Sequence, residues 1–489
     1  MRIFRTLIAA STMALLAGCA VGPTYVAPQM AAPPAFIGGP AVDANAERAA
    51  KVDLANWWRS FDDPLLASLV DRALAQNLDL QQARARVMQT RAALRYANAD
   101  LLPSGQISGQ ASENYQSIES PQGRIASALP GFQREAQSYE LDLGASWEID
   151  LFGGKDAARD AARADWQASA AAAVAARLAV AAQTADTYIA IRGLQARLGV
   201  AREQEKVQQQ LVDLTALQYS KGVAAELQLR QAQGALAQVK AAVPELEQNL
   251  DSAMNALDVL LGVQPGSTRA ELAPVAPIPV PPAVSSAGGP AALLRRRPDI
   301  VAAERTLAAS NARIGVAISE YYPKFSLSGL LGTATMGLGG LFGGGSTQAS
   351  GILGLRWRLF DFGRIDAEIA AARGHNGEAL AAYRLVVLRA SEDVENAFSS
   401  LVKQQARAQI LAEGDTSLSS ARGSAFAAYK AGASSLLDVL DADRRVLETR
   451  DAEIQARTAA ARAAVASYRA LGGGWDAPAA TREPGAPAQ

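Results

Sequence analysis

Residues 147–153 read WEIDLFG, and residues 357–363 read WRLFDFG, an offset of 210 positions. Other landmarks keep that offset: Tyr219-x-x-Gly222 returns as Tyr429-x-x-Gly432, Tyr188 as Phe398, and Gln195 as Gln405. Farther upstream the offset is 220, which takes Leu101-Leu102-Pro103 to Tyr321-Tyr322-Pro323 and Asp79 to Asp299. The difference falls between Pro103 and Trp147, so one loop there is longer. This is one long unit used twice, far beyond the roughly 20–50-residue periods of solenoids. Each copy reads helix, strand, loop, strand, long helix, glycine turn, long helix.

The residues leading into both stretches alternate. Tyr139, Leu141, Leu143, Ala145, Trp147 and Ile149 share one face; Glu140, Asp142, Ser146, Glu148 and Asp150 share the other. In the second copy Leu353, Leu355, Trp357 and Leu359 oppose Arg356 and Arg358. Residues 104–112 set Ser and Gln against Gly, Ile and Ala, and Phe325, Leu327 and Leu331 oppose Lys324, Ser326 and Ser328. Period two over about ten residues with a polar second face is the pattern of an outer-membrane barrel strand. The plainer alternative is an antiparallel sheet with one wet face. Known barrels start at about 8 strands, so four strands need other copies of the chain, and counting strands leaves two, three or four chains open. Trp147 and Trp357 fall at matching strand ends, where interfacial aromatics sit. Loops 113–137 and 337–348 are polar or Gly-rich, as outward-facing barrel loops are. The GLGGLFGGG run at 337–345 precedes a strand pattern rather than a helix start, which excludes a phosphate loop.

The 489 residues carry a net charge of −1, which gives no electrostatic case for nucleic acid. A chain of this length usually forms two or more domains. One Cys and one His exclude structural disulfides, Cys/His zinc sites and His-based triads within one chain. No run after the N-terminus reads as long and apolar enough for a membrane-spanning helix. Residues 1–18 form a signal peptide with two Arg followed by an apolar stretch, and Leu16-Ala17-Gly18-Cys19 is a lipobox. Similarity to bacterial lipoproteins implies cleavage before Cys19 and its lipidation; Ala20 favours the outer membrane over inner-membrane retention. Residues 21–51 are rich in Pro, Ala and Gly and read as extended chain. Asp63-Pro64 suits a helix start, and Asn77-x-Asp79 breaks that helix and caps the next.

Residues 154 to about 221 contain no Pro; at 1.5 Å per residue they predict a helix of ~100 Å. Residues 364 to about 431 match them. The return helices, 224–261 and 434–471, are shorter, and Pro244 should kink the first. Ala-rich stretches such as 168–182 let helices approach closely. Residues 273–292, rich in Pro with Gly-Gly, read as a linker. Leu293-Leu294-Arg295-Arg296-Arg297-Pro298-Asp299-Ile300 then opens the second copy, the three Arg reading as a solvated or salt-bridged helix entry rather than a substrate site.

The lipobox, the duplicated strand–strand–helix–helix unit, LLRRRPDI, WxxxxFG twice, YxxGxxxxL twice and ALGGGW at 470–475 together resemble the TolC-type outer-membrane efflux family, and more narrowly its NodT-like lipoprotein branch. The resemblance implies an α+β membrane protein. In it three chains build a 12-stranded outer-membrane β-barrel, four strands per chain, continuous with a long periplasmic α-helical barrel. The expected organisation is a signal peptide at 1–18, a lipidated extended segment at 19–61, repeat 1 at 62–262, a linker at 263–292, repeat 2 at 293–471 and a tail at 472–489. Strands are expected at about 104–113, 138–150, 324–336 and 349–360. The implied function is a passive homotrimeric duct that takes small toxic compounds from a periplasmic adaptor and an inner-membrane pump of the resistance-nodulation-division type. Outer-membrane lipid is the remaining partner, and neither cofactor nor metal is expected.

The resemblance also implies that coiling of the hairpin tips closes the periplasmic end. Leu437, Asp441 and Arg444 fall at i, i+4 and i+7 on one helix face, and the matching positions form the closed gate in the relatives. Three-fold symmetry would turn them into rings, with Tyr429 bracing the tip. The plainer reading is local Asp441–Arg444 pairing on an exposed face. The first copy carries Leu227, Gln231 and Gly234 there, so gating charge belongs to the second hairpin. Lys221, Gly222, Val223, Ala224, Ala431, Gly432, Ala433 and Ser434 form the tips where an adaptor would dock. Glu140, Asp142, Glu148, Asp150, Arg356 and Arg358 would line the barrel lumen. The rivals are a carboxylate-only enzyme, a structural lipoprotein rod, and the same duct serving type I protein secretion or a metal-ion pump. One His and few Met give a soft metal little to bind.

Overall fold

The computed structural model describes residues 21–30, 33–46, 53–286 and 289–475; the lipobox with Cys19 lies outside them. The helices are α1 (Gly39–Ala46), α2 (Pro64–Gln76), α3 (Leu78–Ala99), α4 (Pro121–Ser127), α5 (Gly154–Ser220), α6 (Glu226–Leu260), α7 (Arg269–Leu272), α8 (Gly289–Arg296), α9 (Pro298–Ser319), α10 (Arg364–Lys430) and α11 (Leu436–Ala470). The strands are β1 (Ser104–Tyr115), β2 (Glu135–Ile149), β3 (Lys324–Thr335) and β4 (Thr347–Arg356). The long helices α5 and α10 have 67 residues each, and the return helices α6 and α11 have 35 each. The structure divides into two compact units.

The first unit holds the sheet, with residues 88–168 and 304–382 and the described residues 21–28. Its four strands are antiparallel in chain order. Ile107, Leu143, Leu331 and Ala349 lie side by side across it, as do Ile149, Phe325 and Leu355. Ile107, Leu143, Leu331 and Leu355 are exposed, so this face offers hydrocarbon-compatible surface. Hydrogen bonds from the two landmark tryptophans fix the strand ends. The indole N–H of Trp147 donates to Leu101 O and that of Trp357 to Tyr321 O, both at 2.9 Å. The duplicated Trp is therefore a staple onto the duplicated Leu/Tyr-Pro turn. Below the sheet, Ala164 of α5 packs on Ala308 and Ala309 of α9, and Gly22 abuts Gly315.

The second unit holds residues 29–87, 169–303 and 383–475 of the described chain. Asp63 Oδ1 accepts from the N–H groups of Leu65 and Leu66 at 3.0 Å and starts α2, with Pro64 first in the helix. Asn77 Oδ1 accepts from Asp79 N–H at 2.9 Å and Leu80 N–H at 3.1 Å and starts α3. Trp57 stacks on Tyr468 at 5.4 Å and meets Trp58 and Phe61 edge-on. Tyr188 donates to Asp63 Oδ2 at 2.7 Å and accepts from Arg192 at 3.0 Å. Burial, with Asp63 adding to it, pushes the Tyr188 phenol up to about 12. Arg192 also donates to Pro274 O and Gln195 to Leu272 O, both at 2.7 Å, which ties the Pro-rich linker to α5. Of the Arg triplet, Arg297 bridges Asp299 at 2.6 Å and Asp393 at 3.0 Å, and Arg296 donates to Gly472 O at 3.2 Å.

Several expectations are corrected. β1 and β2 extend past 113 and start before 138, because the ladder runs out to Tyr115 opposite Glu135. β4 stops at Arg356, not 360: its partner strand begins at Lys324, and Pro323 before it has no N–H to donate. Residues 21–51 and the linker are not wholly extended, since α1, α7 and the start of α8 fall within them. The β1–β2 loop contains α4, where Ser120 Oγ accepts from Gly123 N–H at 3.1 Å and Pro121 opens the turn. Finally, α5 does contain a window apolar enough by length and composition to span a membrane. Its apolarity is largely alanine, and Ala181 and Ala185 are fully buried in the helix packing.

Candidate functional site

Both long helices end in the same turn. Gly222 has φ +74° and Gly432 φ +71°. Gly222 N–H donates to Tyr219 O and Val223 N–H to Gln218 O, both at 2.9 Å; Gly432 N–H reaches Tyr429 O at 3.0 Å and Ala433 N–H reaches Ala428 O at 2.8 Å. This Schellman pairing needs a left-handed residue that glycine supplies without steric cost. Lys221, Gly222, Val223 and Ala224 thus form one tip, and Ala431, Gly432, Ala433 and Ser434 the other. The second return helix is capped reciprocally: Ser435 N–H donates to Asp438 Oδ2 at 2.9 Å and Asp438 N–H to Ser435 Oγ at 3.3 Å.

Tyr429 is not on the Leu437–Asp441–Arg444 stripe. It is buried among Leu211, Val212, Leu236, Leu436 and Val439, and its hydroxyl donates to Gln218 Oε1 at 2.7 Å. It therefore braces the second hairpin against the first. Leu437, Asp441 and Arg444 do share one face and line a groove of about 580 Å³ together with Gln204 and Glu245. Asp441 accepts from Arg444 and from Arg445, each at 2.8 Å, and Arg444 donates on to Glu448 at 3.0 Å. The Arg444 hydrogen bond, with Arg445 beside it, holds the Asp441 carboxyl below its ordinary value. All these groups are water-exposed, so each pair is weak by itself.

Sequence reasoning missed Arg445, although its i+4 spacing from Asp441 was a usable signal. It also missed the seam beneath. Asp443 is buried and accepts from Arg422 at 2.8 Å and Gln208 at 3.3 Å. Arg197 and Asp451 form a two-pronged pair at 2.6 and 3.2 Å, as do Arg462 and Asp186 at 2.7 and 2.9 Å. The Arg422 bond joins α10 to α11, and the others join α5 to α11.

On the polar face of the sheet, Glu140, Asp142 and Glu148 stand on β2 and Arg356 ends β4. Gln348 donates to Asp142 at 2.9 Å, and Arg356 lies 4.0 Å from Glu148. Asp150 and Arg358 are corrected out of the strand set. Asp150 follows the last residue of β2 and accepts from Asp156 N–H at 2.8 Å, where the positive end of α5 favours a carboxylate. Arg358 lies beyond β4 and pairs with Glu320 and with Glu368.

Known proteins share this fold. The family model "Outer membrane efflux protein" matches residues 69–263 and 289–473, one segment per repeat. Outer membrane protein OprJ of Pseudomonas aeruginosa is 32% identical over 94% of this chain and 94% of its own. Nodulation protein T of Rhizobium leguminosarum bv. viciae is 31% identical over 98% and 95%. The solved outer-membrane channel OprN matches with a TM-score of 0.83 at 34% identity, over 94% of this chain and all of its own. The open-state MtrE channel of Neisseria gonorrhoeae matches at 0.80 and 26%, over 94% and 99%. Such channels are trimers, so three four-stranded sheets supply a 12-stranded barrel. The chain belongs to the outer membrane efflux protein family and is the outer-membrane channel component of an efflux system.

Proposed function

We propose that the homotrimer is a passive duct for small toxic compounds, handed over by a periplasmic adaptor from a resistance-nodulation-division pump. Leu437, Asp441 and Arg444 form its periplasmic gate, and Cys19 carries a lipid anchor. The carrying observation is the doubly bonded Asp441, set beside Leu437 on a groove-lining face that has no charged counterpart in the first hairpin. Around a three-fold axis the Leu side chains constrict, and the Arg groups offset the repulsion among the Asp carboxylates. Tyr429 fixes the hairpin that carries them. Glu140, Asp142, Glu148 and Arg356 give the barrel a wet lumen of mixed charge.

Planar-bilayer conductance tests the gate. Wild type is expected to pass small or flickering current and Asp441→Ala a steady current about tenfold larger. A large steady wild-type current would remove Asp441 as the lock. The pH dependence has a fixed sign. In the chain the hydrogen bonds from Arg444 and Arg445 hold the carboxyl low, so the paired form is present above the unpaired Asp value, about 3.9, and is lost as pH falls through the lower paired value. Current should stay unchanged from neutral pH to about pH 5 and rise only in stronger acid.

The eight tip residues are the proposed adaptor-docking surface. Gly432→Trp should abolish efflux while the amount of trimer stays at wild-type level. Loss of trimer instead would make the tip a structural element.

A further inference from the structure

Faces of three helices in the second unit form the groove that the stripe lines. α5 contributes Gln208, α6 Val239, Glu245 and Leu246, and α11 Leu440 and Leu447. On each helix the lining residues recur at steps of three and four, so one face of each turns inward. The volume, about 580 Å³, falls within the range of small-molecule sites, and so does the make-up of apolar walls with a few polar groups. We propose that this groove is a binding site for an amphipathic amine. The apolar body lies against Val239, Leu246, Leu440 and Leu447. A protonated nitrogen pairs with Glu245, and an N–H of the ligand donates to Gln208 Oε1. The proposal rests on the groove's own side chains and not on gating or transport.

The ligand's chemistry follows from two unmet acceptors. Gln208 is 3% exposed and donates through Nε2 to Asp443 at 3.3 Å, which fixes the orientation of its amide. Its Oε1 is buried and has no partner. Buried side-chain oxygens are nearly always bonded, so this one marks a place for a donor. Glu245 is the second acceptor. It stands exposed on the groove side of α6 and makes no ion pair among the described residues. The other lining carboxylates are taken: Asp441 by Arg444 and Arg445, Glu448 by Arg444, and Asp451 by Arg197. The lining holds four carboxylates against two guanidinium groups, a net charge of −2, which favours a cation over an anion.

Neither acceptor belongs to the duplicated frame. At the offset of 210, Gln208 returns as Leu418 and Glu245 as Gln455, whose amide donates to Asp451 at 2.6 Å. The helix packing common to both copies is therefore made without them, whereas an amine in the groove would use both. A ligand seated there touches α5, α6 and α11 at once and so spans the two hairpins.

Dansylcadaverine is the test probe: a naphthalene ring with a sulfonamide N–H and a primary ammonium on an alkyl chain, brighter when it leaves water. It is titrated into the full-chain trimer in lipid nanodiscs, because detergent would compete for an apolar groove. Saturable binding above that of empty discs is expected. Dansylamide, which lacks the ammonium, should bind about tenfold more weakly. Glu245→Gln removes the charge and should weaken binding about tenfold. Gln208→Met keeps the length, removes the acceptor and should weaken binding about fivefold. Ala242→Trp fills the groove from an exposed position of α6 and should abolish binding. Glu203→Gln, an equal charge change outside the lining, should leave it unchanged. Absence of a saturable signal overturns the proposal and means that water or a neighbouring chain fills the groove. Wild-type affinity in Glu245→Gln or in Ala242→Trp overturns it too, as does equal affinity for dansylamide. If Gln208→Met fails to assemble, the variants at the exposed positions Glu245 and Ala242 decide. Conductance is measured separately, so an empty groove beside a working duct, or the reverse, tells the two proposals apart.

Discussion

Trp57→Ala should destabilise the second unit by about 3–5 kcal/mol, the range for deleting a buried large aromatic. Trp57 is 1% exposed, lies flat on Tyr468 and takes Trp58 and Phe61 on its edges. Tyr468 in turn donates to Ala283 O at 2.9 Å, and Gly473 packs against Leu54 O and the Trp57 ring. One side chain therefore holds the N-terminal 3₁₀ turn Leu54–Phe61, the Pro-rich linker and the C-terminal GGGW segment to the end of α11. Heat dissociation of the trimer, followed on semi-native gels, should fall well below wild type, and less trimer should reach the outer membrane. Trp57→Phe keeps a ring on Tyr468 and should recover most of the loss. A Trp57→Ala protein as heat-stable as wild type would show that the ring cluster contributes little to the assembly.

Gly193→Leu should prevent trimer from accumulating. A Cβ at Gly193 would lie 2.7 Å from Thr458 Cγ2 and closer still to its Oγ1. Thr458 cannot easily turn away, being β-branched and hydrogen-bonded through Oγ1 to Ile454 O at 2.7 Å. The Arg197–Asp451 pair sits one turn along and depends on the same close approach of α5 and α11. Overpacking costs about 1–3 kcal/mol for small additions and more for a full Leu. Gly193→Ala should be milder, because removing a mid-helix Gly returns up to about 1 kcal/mol. Combining it with Thr458→Ala should restore wild-type heat stability. If the double variant is no better than Gly193→Ala, contact with Thr458 is not the constraint.

The architecture was legible because duplication and alternation leave marks in sequence. WEIDLFG and WRLFDFG located both strand ends and both long helices, and the polar and apolar rows fell where the alternation put them. What escaped were features set by distant backbone. β4 ends because of Pro323, which period two within 349–360 cannot reveal. Asp150 and Asp361 occupy different positions of the two heptapeptides, yet each carboxylate caps its helix: Asp361 accepts from Ile365 N–H at 2.7 Å. Alternation alone counted Asp150 among the lumen residues. At the hairpin the Leu437–Asp441–Arg444 stripe was readable as a helical period. Asp443, two residues from Asp441, points to the opposite side of α11, and its partner Gln208 lies 235 positions away. The linker's anchors are main-chain carbonyls, Leu272 O and Pro274 O, which have no signature in side-chain sequence.

The two hairpin tips, with the same left-handed glycine and the same pair of closing hydrogen bonds, are one backbone template written with two sets of side chains. The turn tolerates Lys221, Val223 and Ala224 in one case and Ala431, Ala433 and Ser434 in the other. Surface chemistry at the tips can therefore diverge without changing how the chain reverses. Four-residue cassettes, 221–224 and 431–434, are modular in this sense: exchanging them transplants a surface while leaving the Ser435 cap, the brace at Tyr429 and the groove-lining stripe outside the exchanged residues.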